Sequence, residues 1–308
     1  MTSNTSLKLA AISMTTSADK ARNVGEAERL VREAAKLGAD WVQLPEMFPF
    51  MGDYAYNYEM AELEGGPLYQ RLSELAKELN IVLFAGTVGE RPKPNEPLDF
   101  ATKNDLGQKK VFNTSYVFGR DGELLAKYRK IHLFNLNGDD GRPRYAESDG
   151  FIPGEEPVSL VIDGLKVALS ICYDLRFPAL YQLLSKSGDP DVITVPSAFT
   201  KSTGLAHWEL LLRARAVEHQ SYVFAANQTG VHSPGKESFG HALIIDPGAT
   251  SWPTAATSLG WLWRRCREPR LRTCGRACRH WPTGALRSIA APSPRSLLGR
   301  LAVLSTVA

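Results

Sequence analysis

Apolar side chains recur at Val24, Ala27, Val31, Ala34 and Leu37, three or four positions apart, until Gly38 interrupts them. That spacing forms one stripe of a helix over residues 18–38, with the glycine as its stop. A short apolar run precedes it at residues 8–13 (Lys-Leu-Ala-Ala-Ile-Ser), and another follows at 41–44 (Trp-Val-Gln-Leu), cut by Pro45. Both read as buried strands. A second helix over 66–80 and a strong strand over 81–88 complete a β-α-β-α-β order, which implies a sheet flanked by helices.

The next stretch is built from hairpins. Strands at 111–118 and 124–128 surround Gly119-Arg120-Asp121-Gly122, and strands at 158–162 and 165–171 surround Asp163-Gly164, a tight-turn dipeptide. Helix 178–186, strand 192–195, helix 205–220 and strands 222–226 and 242–245 follow. Residues 91–108, rich in Pro, Lys, Asn and Asp, read as a surface loop. No internal repeat or low-complexity tract interrupts the order.

At 308 residues the chain can bury a large α/β core, as one domain or two. No apolar run is long enough to cross a bilayer, and the first residues lack a basic segment followed by a long apolar one. Four cysteines do not make a disulfide framework, so the expectation is a soluble, cytoplasmic protein in a reducing setting. The net charge of +3 conceals an asymmetry. Residues 1–248 hold 26 basic and 32 acidic side chains, a net −6, whereas 249–308 hold ten Arg and only Glu268, a net +9. Three of the four Cys and four of the six Trp also lie in this tail.

Glu46, Cys172 and the segment around Ser197 each fall just past the C-terminal end of an expected strand. In α/β sheets that edge is where ligands bind. Lys130 lies just beyond the hairpin strand that ends near Tyr128. Cys172 by position alone reads as a small buried hydrophobe, as most lone cysteines are, and the flanking Ser-Ile-Cys-Tyr-Asp-Leu-Arg-Phe-Pro makes it a candidate nucleophile. A thiol that attacks an amide needs a base and a cationic neighbour. Six histidines (His132, His207, His219, His232, His241, His280) leave a Cys/His pair open, although no local cysteine-protease signature is present. Glu46 follows an apolar strand and precedes Met47, Phe48, Pro49 and Phe50, surroundings in which a carboxylate can act as a base. A half-buried Lys130 beside it could stabilise an oxyanion. Cys266, Cys274, Cys278 and His280 lack the paired spacing of a zinc site.

Three segments together resemble the nitrilase superfamily of carbon–nitrogen hydrolases. They are Leu-Pro-Glu-Met-Phe around Glu46, Tyr-Arg-Lys-Ile-His-Leu-Phe around Lys130, and Ile-Cys-Tyr-Asp-Leu-Arg-Phe-Pro around Cys172. Tyr-Ala-Glu-Ser at 145–148 resembles the segment of the family's second glutamate, here Glu147. Pro-Ser-Ala-Phe at 196–199, the run at 203–218 and Phe-Gly-His-Ala-Leu-Ile-Ile-Asp-Pro at 239–247 resemble the Nit branch. The resemblance implies a four-layer αββα sandwich of two mixed β-sheets, usually paired as a homodimer through helices near the nucleophile. It implies that Glu46 takes the proton of Cys172, that Cys172 carries a thioester, and that Lys130 and the Tyr173 backbone N–H hold the oxyanion. Glu147 is implied to position Lys130 or the substrate. No metal or organic cofactor is implied. The branch contains amidases acting on deaminated glutathione and on α-keto acid amides, so the substrate expected is a small amide bearing a carboxylate. Arg176 is a candidate for that carboxylate, with an ion pair to Asp174 as the alternative, and Phe199 and Thr200 are candidate pocket walls. Nitrile or carbamoyl-amide hydrolysis, or a silent, poorly folded relative acting as a binding partner, are the other readings.

The resemblance covers residues 7–247, read as one hydrolase domain. At 248–308 relatives continue with further strands and a C-terminal arm, whereas this chain turns arginine-rich and acid-poor without periodicity. The expectation is a frameshift near codon 248, leaving sheet edges uncovered. The alternative, a basic tail for nucleic acid or acidic lipid, is opposed by the absence of Lys and the three cysteines. Neither a nucleic-acid partner nor a membrane is expected.

Overall fold

The computed structural model describes residues 7–137, 145–253 and 261–266. Strand β1 (Leu7–Met14) leads into helix α1 (Lys20–Lys36), whose N-cap Asp19 accepts from the Arg22 N–H. Strand β2 (Trp41–Gln43) runs parallel to β1. The short helix α2 (Asn57–Met60) and the longer α3 (Pro67–Leu79) come next. α3 begins on a proline and ends at Asn80 in the left-handed region, both common boundary devices.

The strand expected at 81–88 is two strands, β3 (Val82–Phe84) and β4 (Val88–Glu90). The chain turns between them at Gly86, with φ of 52°. A Cβ there would stand 2.1 Å from the Pro45 carbonyl oxygen, so glycine lets this turn press against the segment that carries Glu46. β5 (Val111–Phe118) is antiparallel to β3, β4 and β6 (Leu124–Arg129). A small hairpin of β7 (Asn135–Leu136) and β8 (Tyr145–Ala146) precedes β9 (Phe151–Ile152), which lies parallel to β5.

The second sheet begins with β10 (Ser159–Ile162) and β11 (Leu165–Leu169), joined through Asp163 and Gly164, both at positive φ. Helix α4 (Pro178–Leu184), β12 (Val192–Thr194), α5 (Lys201–His219) and β13 (Tyr222–Ala225) extend it by parallel pairings. The chain then returns to the first sheet as the hairpin β14 (Asn227–Ser233) and β15 (Lys236–Phe239), β14 running parallel to β1. The polar sequence of this hairpin hid it from periodicity. β16 (Leu243–Ile245) closes on β13. The chain does not leave the sheets at Pro247. β17 (Ser251–Pro253) pairs with β16, and β18 (Trp261–Cys266) runs antiparallel to β1. These two backbone pairings cover edges that the sequence led us to expect bare; Cys274, Cys278 and His280 lie outside the described residues.

Alternation along the parallel strands explains the layers. Leu9, Ala11, Trp41, Val82 and Phe84 point toward the second sheet and join Val167, Leu169 and Phe224 in one core. Ala10, Ile12, Val42 and Leu83 point the other way, onto Val24, Leu30 and Val31 of α1 and Leu72 and Leu75 of α3. Trp208, Leu212 and Ala216 of α5 and Leu180 and Leu184 of α4 pack onto the second sheet. Both faces of each central strand are therefore packed, which is why those strands are mainly apolar. The result is the expected αββα sandwich. Among the described residues no helix is long and apolar enough to cross a membrane.

Candidate active site

Four side chains from separate segments meet at one end of the sandwich. Glu46 follows β2 and is 2% exposed. It is not left among apolar groups. Its Oε1 accepts from Asn113 Nδ2 and Lys130 Nζ, both at 2.8 Å, and its Oε2 accepts from the Ala198 N–H at 2.8 Å. Lys130 follows β6 and is fully buried. Its ammonium also donates to both oxygens of Glu147, at 2.9 and 2.8 Å. Glu147 in turn accepts from the Phe134 N–H at 2.8 Å. The neighbouring cations of the same basic run serve elsewhere, Lys127 on Glu64 and Arg129 on Glu90 and Glu96.

Cys172 opens a 3-10 turn at the end of the strand β11 continues into, with φ of 46°. This left-handed conformation is costly for a residue with a side chain and persists only where its surroundings fix it. Buried Asp174 does the fixing. It accepts from the Ile171 N–H (2.9 Å), the Tyr128 hydroxyl (2.7 Å) and the His132 N–H (3.0 Å), and it lies 2.7 Å from His132 Nδ1. The Cys172 N–H donates to the Pro196 carbonyl at 3.1 Å.

Burial pushes the Cys172 thiol well above its ordinary range, and the nearby Glu46 carboxylate, which the thiol also hydrogen-bonds, adds to this. Lys130 opposes the rise without cancelling it. The resting nucleophile is therefore a thiol, not a thiolate. Burial works against charge on Lys130, but Glu147 and Glu46 outweigh it and hold the ammonium protonated. Burial raises Glu147 despite Lys130. One ammonium between two carboxylates leaves a base facing a protonated nucleophile, the pairing that general-base activation requires.

No histidine touches the thiol among the described residues. His132 stacks on Phe177 and binds Asp174, His219 meets Ser185, and His232 meets the Thr16 carbonyl and Ser238. The Cys/His alternative is thus removed for these positions. The ion pair considered between Arg176 and Asp174 does not form either. Asp174 is occupied as described, and Arg176 turns toward the cleft, 3.2 Å from His207 Nδ1 and 5.3 Å from the Phe199 ring centroid. Among the described residues no cluster of three or more His, Cys, Asp or Glu could hold a metal ion.

A cleft of about 900 Å3, its mouth included, opens onto this centre. Glu46, Glu147, Cys172, Tyr173, Arg176, Phe199 and Thr200 all line it, while Lys130 lies behind the two glutamates. Thr200 doubles as the N-cap of α5, accepting from the Thr203 N–H. Sequence reasoning passed over Asn113, Tyr54 and Lys236, and weighed His232 only as a partner for the thiol. Asn113 carried a signal, as it opens a run of three polar residues (Asn113, Thr114, Ser115) inside a buried strand, where a buried polar group must have a partner. The other three sit in segments without a readable period.

The carbon–nitrogen hydrolase family profile matches residues 8–252. The deaminated glutathione amidase of Synechocystis sp. is 38% identical over 240 residues, 77% of this chain and 83% of that protein. Human omega-amidase NIT2 is 40% identical over 243 residues, 79% of this chain and 82% of that protein. The crystal structure of Saccharomyces cerevisiae Nit3, a member of branch 10 of the nitrilase superfamily, superposes with a TM-score of 0.75 at 27% identity, covering 91% of this chain and 96% of that one. This chain therefore belongs to the carbon–nitrogen hydrolase family, as an enzyme of the Nit branch of the nitrilase superfamily.

Proposed function

We propose that this protein hydrolyses the C–N bond of a small carboxylate-bearing amide through a cysteinyl thioester. The observation that carries the reading is the buried Glu46–Lys130–Glu147 chain of hydrogen bonds beside Cys172, whose thiol burial pushes upward. Glu46 takes the thiol proton as the sulfur attacks the amide carbon, and the carbonyl oxygen becomes an oxyanion. Lys130 and the Tyr173 N–H stabilise that charge in a site with little water to reorganise. Collapse of the adduct breaks the C–N bond, and Glu46 returns the proton to the departing nitrogen. Glu46 then deprotonates a water that attacks the thioester, releasing the acid and regenerating the thiol. Glu147, holding the Lys130 ammonium with both oxygens, fixes where the positive charge sits.

The relatives named for deaminated glutathione and omega-amides support a substrate with a carboxylate, and Arg176 in the cleft wall is the group that receives it. Phe199 and Thr200 shape the same wall. Ammonia or amine release from a panel of short carboxylate-bearing amides tests the reading. Wild type turns over at least one of them, and Cys172→Ala and Glu46→Gln each lose about 100-fold or more. A Cys172→Ala protein that keeps its activity refutes it. We further propose a homodimer joined through α4 and α5, whose outer faces expose Leu183, Leu205 and Leu210. Sedimentation as a monomer at micromolar concentration would contradict this.

A further inference from the structure

A second, smaller cavity lies behind the reaction cleft, and the two share a wall of Met47, Phe50 and Asn57. Met47 directly follows Glu46, so this wall stands next to the candidate base. The rest of the second cavity is lined mostly by apolar and aromatic residues, with room inside for about one water molecule. Two polar features break that lining. Lys20 and Glu62 pair at 2.7 Å where the cavity nears the surface, each side chain 25% exposed. Asn57 lies on the cleft side, only 4% exposed, and its Nδ2 has no hydrogen-bond partner in the protein. The carboxylates of the two linings are committed elsewhere. Glu46 accepts from Asn113, Lys130 and the Ala198 N–H, Glu147 from Lys130 and the Phe134 N–H, and Glu62 from Lys20 and the Leu68 N–H. A buried donor left without an acceptor is costly, so a partner from outside the protein is called for at this point.

Thioester hydrolysis consumes one water per turnover, and it does so after the nitrogen has left. At that moment the acyl group on Cys172 fills the cleft between the sulfur and its mouth, which hinders entry of water from that side. We propose that Asn57 binds the water that hydrolyses the thioester, and that this water is replenished through the second cavity from the Lys20–Glu62 side. This rests on the thioester reading above and deepens it. Asn57 Nδ2 donates to the water oxygen at the shared wall, one step from the cleft. The water then moves to Glu46, which takes a proton from it as the oxygen attacks the thioester carbon. The C–S bond breaks, the acid is released, and Glu46 returns the proton to the Cys172 sulfur. Asn57 is thus a water-positioning residue for the second half of the reaction alone.

The test sets water against a nucleophile that is too large for the second cavity and reaches the thioester through the cleft mouth. Hydroxylamine, added with an amide that the wild type turns over, divides the acyl group between hydroxamate and free acid. Asn57→Leu replaces the amide by an apolar group of similar volume. The expected result is a hydroxamate-to-acid ratio about tenfold above wild type, the worth of one hydrogen bond. Asn57→Ser keeps a polar group, leaves room for water and stays close to the wild-type ratio. Val88→Ile fills the cavity from the β4 side with Asn57 intact and raises the ratio as Asn57→Leu does. Because leucine removes an unpartnered buried amide, Asn57→Leu unfolds at or above the wild-type Tm, which separates its kinetic defect from one of folding. An unchanged ratio in Asn57→Leu, or in Val88→Ile should the former fail to fold, overturns the assignment, as does an equal rise in Asn57→Ser. If no amide is turned over, the amidase reading fails by itself, and a high-resolution crystal structure decides the site. A water within hydrogen-bond distance of Asn57 Nδ2 upholds it, and a dry cavity overturns it.

Discussion

Replacing Lys130 with methionine removes the buried cation between Glu46 and Glu147 and leaves two carboxylates facing each other. Methionine fills much of the lysine stem's volume, so the loss is one of charge and hydrogen bonds more than of packing. Three contacts of 2.8, 2.9 and 2.8 Å disappear, while Glu46 keeps Asn113 and the Ala198 N–H, and Glu147 keeps the Phe134 N–H. Removing one partner of a buried ion pair costs about 3–5 kcal/mol. In a domain of this size each kcal/mol lowers Tm by about 2–4 °C, so the fall is roughly 10 °C. The loss depends on pH with a definite sign. Burial already raises Glu147, and without Lys130 only the Phe134 N–H opposes that rise. A carboxyl raised in the fold keeps its proton where the unfolded chain, titrating near about 4.3, has released it. Stability from such a group is fully present below the unfolded value and is lost as pH climbs through the folded one. Lys130→Met should therefore lie closer to wild type at pH 5 than at pH 8 in thermal unfolding. Lys130→Met/Glu147→Gln should regain most of the stability and none of the activity. A Tm change under about 2 °C, or a larger deficit at pH 5 than at pH 8, refutes the electrostatic account.

Two further perturbations probe how the site is held. Asp174→Asn weakens the turn that keeps Cys172 at its positive φ, because an amide cannot accept from the Ile171 N–H, Tyr128 and His132 together. Denaturant unfolding should show a loss of about 2–3 kcal/mol, and kcat should fall more than KM rises, whereas unchanged kcat would detach the turn from the chemistry. Gly86→Ala places a Cβ against the Pro45 carbonyl and strains a residue at φ of 52°, so it should displace Glu46 and lower kcat/KM at least tenfold. A fully active Gly86→Ala protein would show that the Glu46 segment relaxes independently of β3.

Part of this was legible without coordinates. The helical stripe from Val24 to Ala34 and the mainly apolar strands are consequences of burial on one helix face and on both strand faces, so they can be read locally, whereas Leu37, at the end of the same spacing, caps the helix and is exposed. Glu46, Lys130 and Cys172 stood out because each ends a strand with a polar group, and the resemblance of their flanking residues supplied Glu147 and the Tyr173 N–H. The break at Gly86 was not legible, since it depends on the Pro45 carbonyl, which reaches it only through β2–β3 pairing. Nor was the β14–β15 hairpin, whose strands are polar because one side forms the cleft wall rather than a core. The sequence left an ion pair between Arg176 and Asp174 open; the tertiary structure removes it, because Tyr128 and His132 reach Asp174 and Arg176 lies beside His207 in the cleft wall. Lys236 carried no local signal at all. What the sequence determined by itself was most of the order of elements and the candidate reactive groups, because propensity and burial act over short spans. Convergence of groups 84 and 17 residues apart is a long-range fact that only packing of the two sheets could decide.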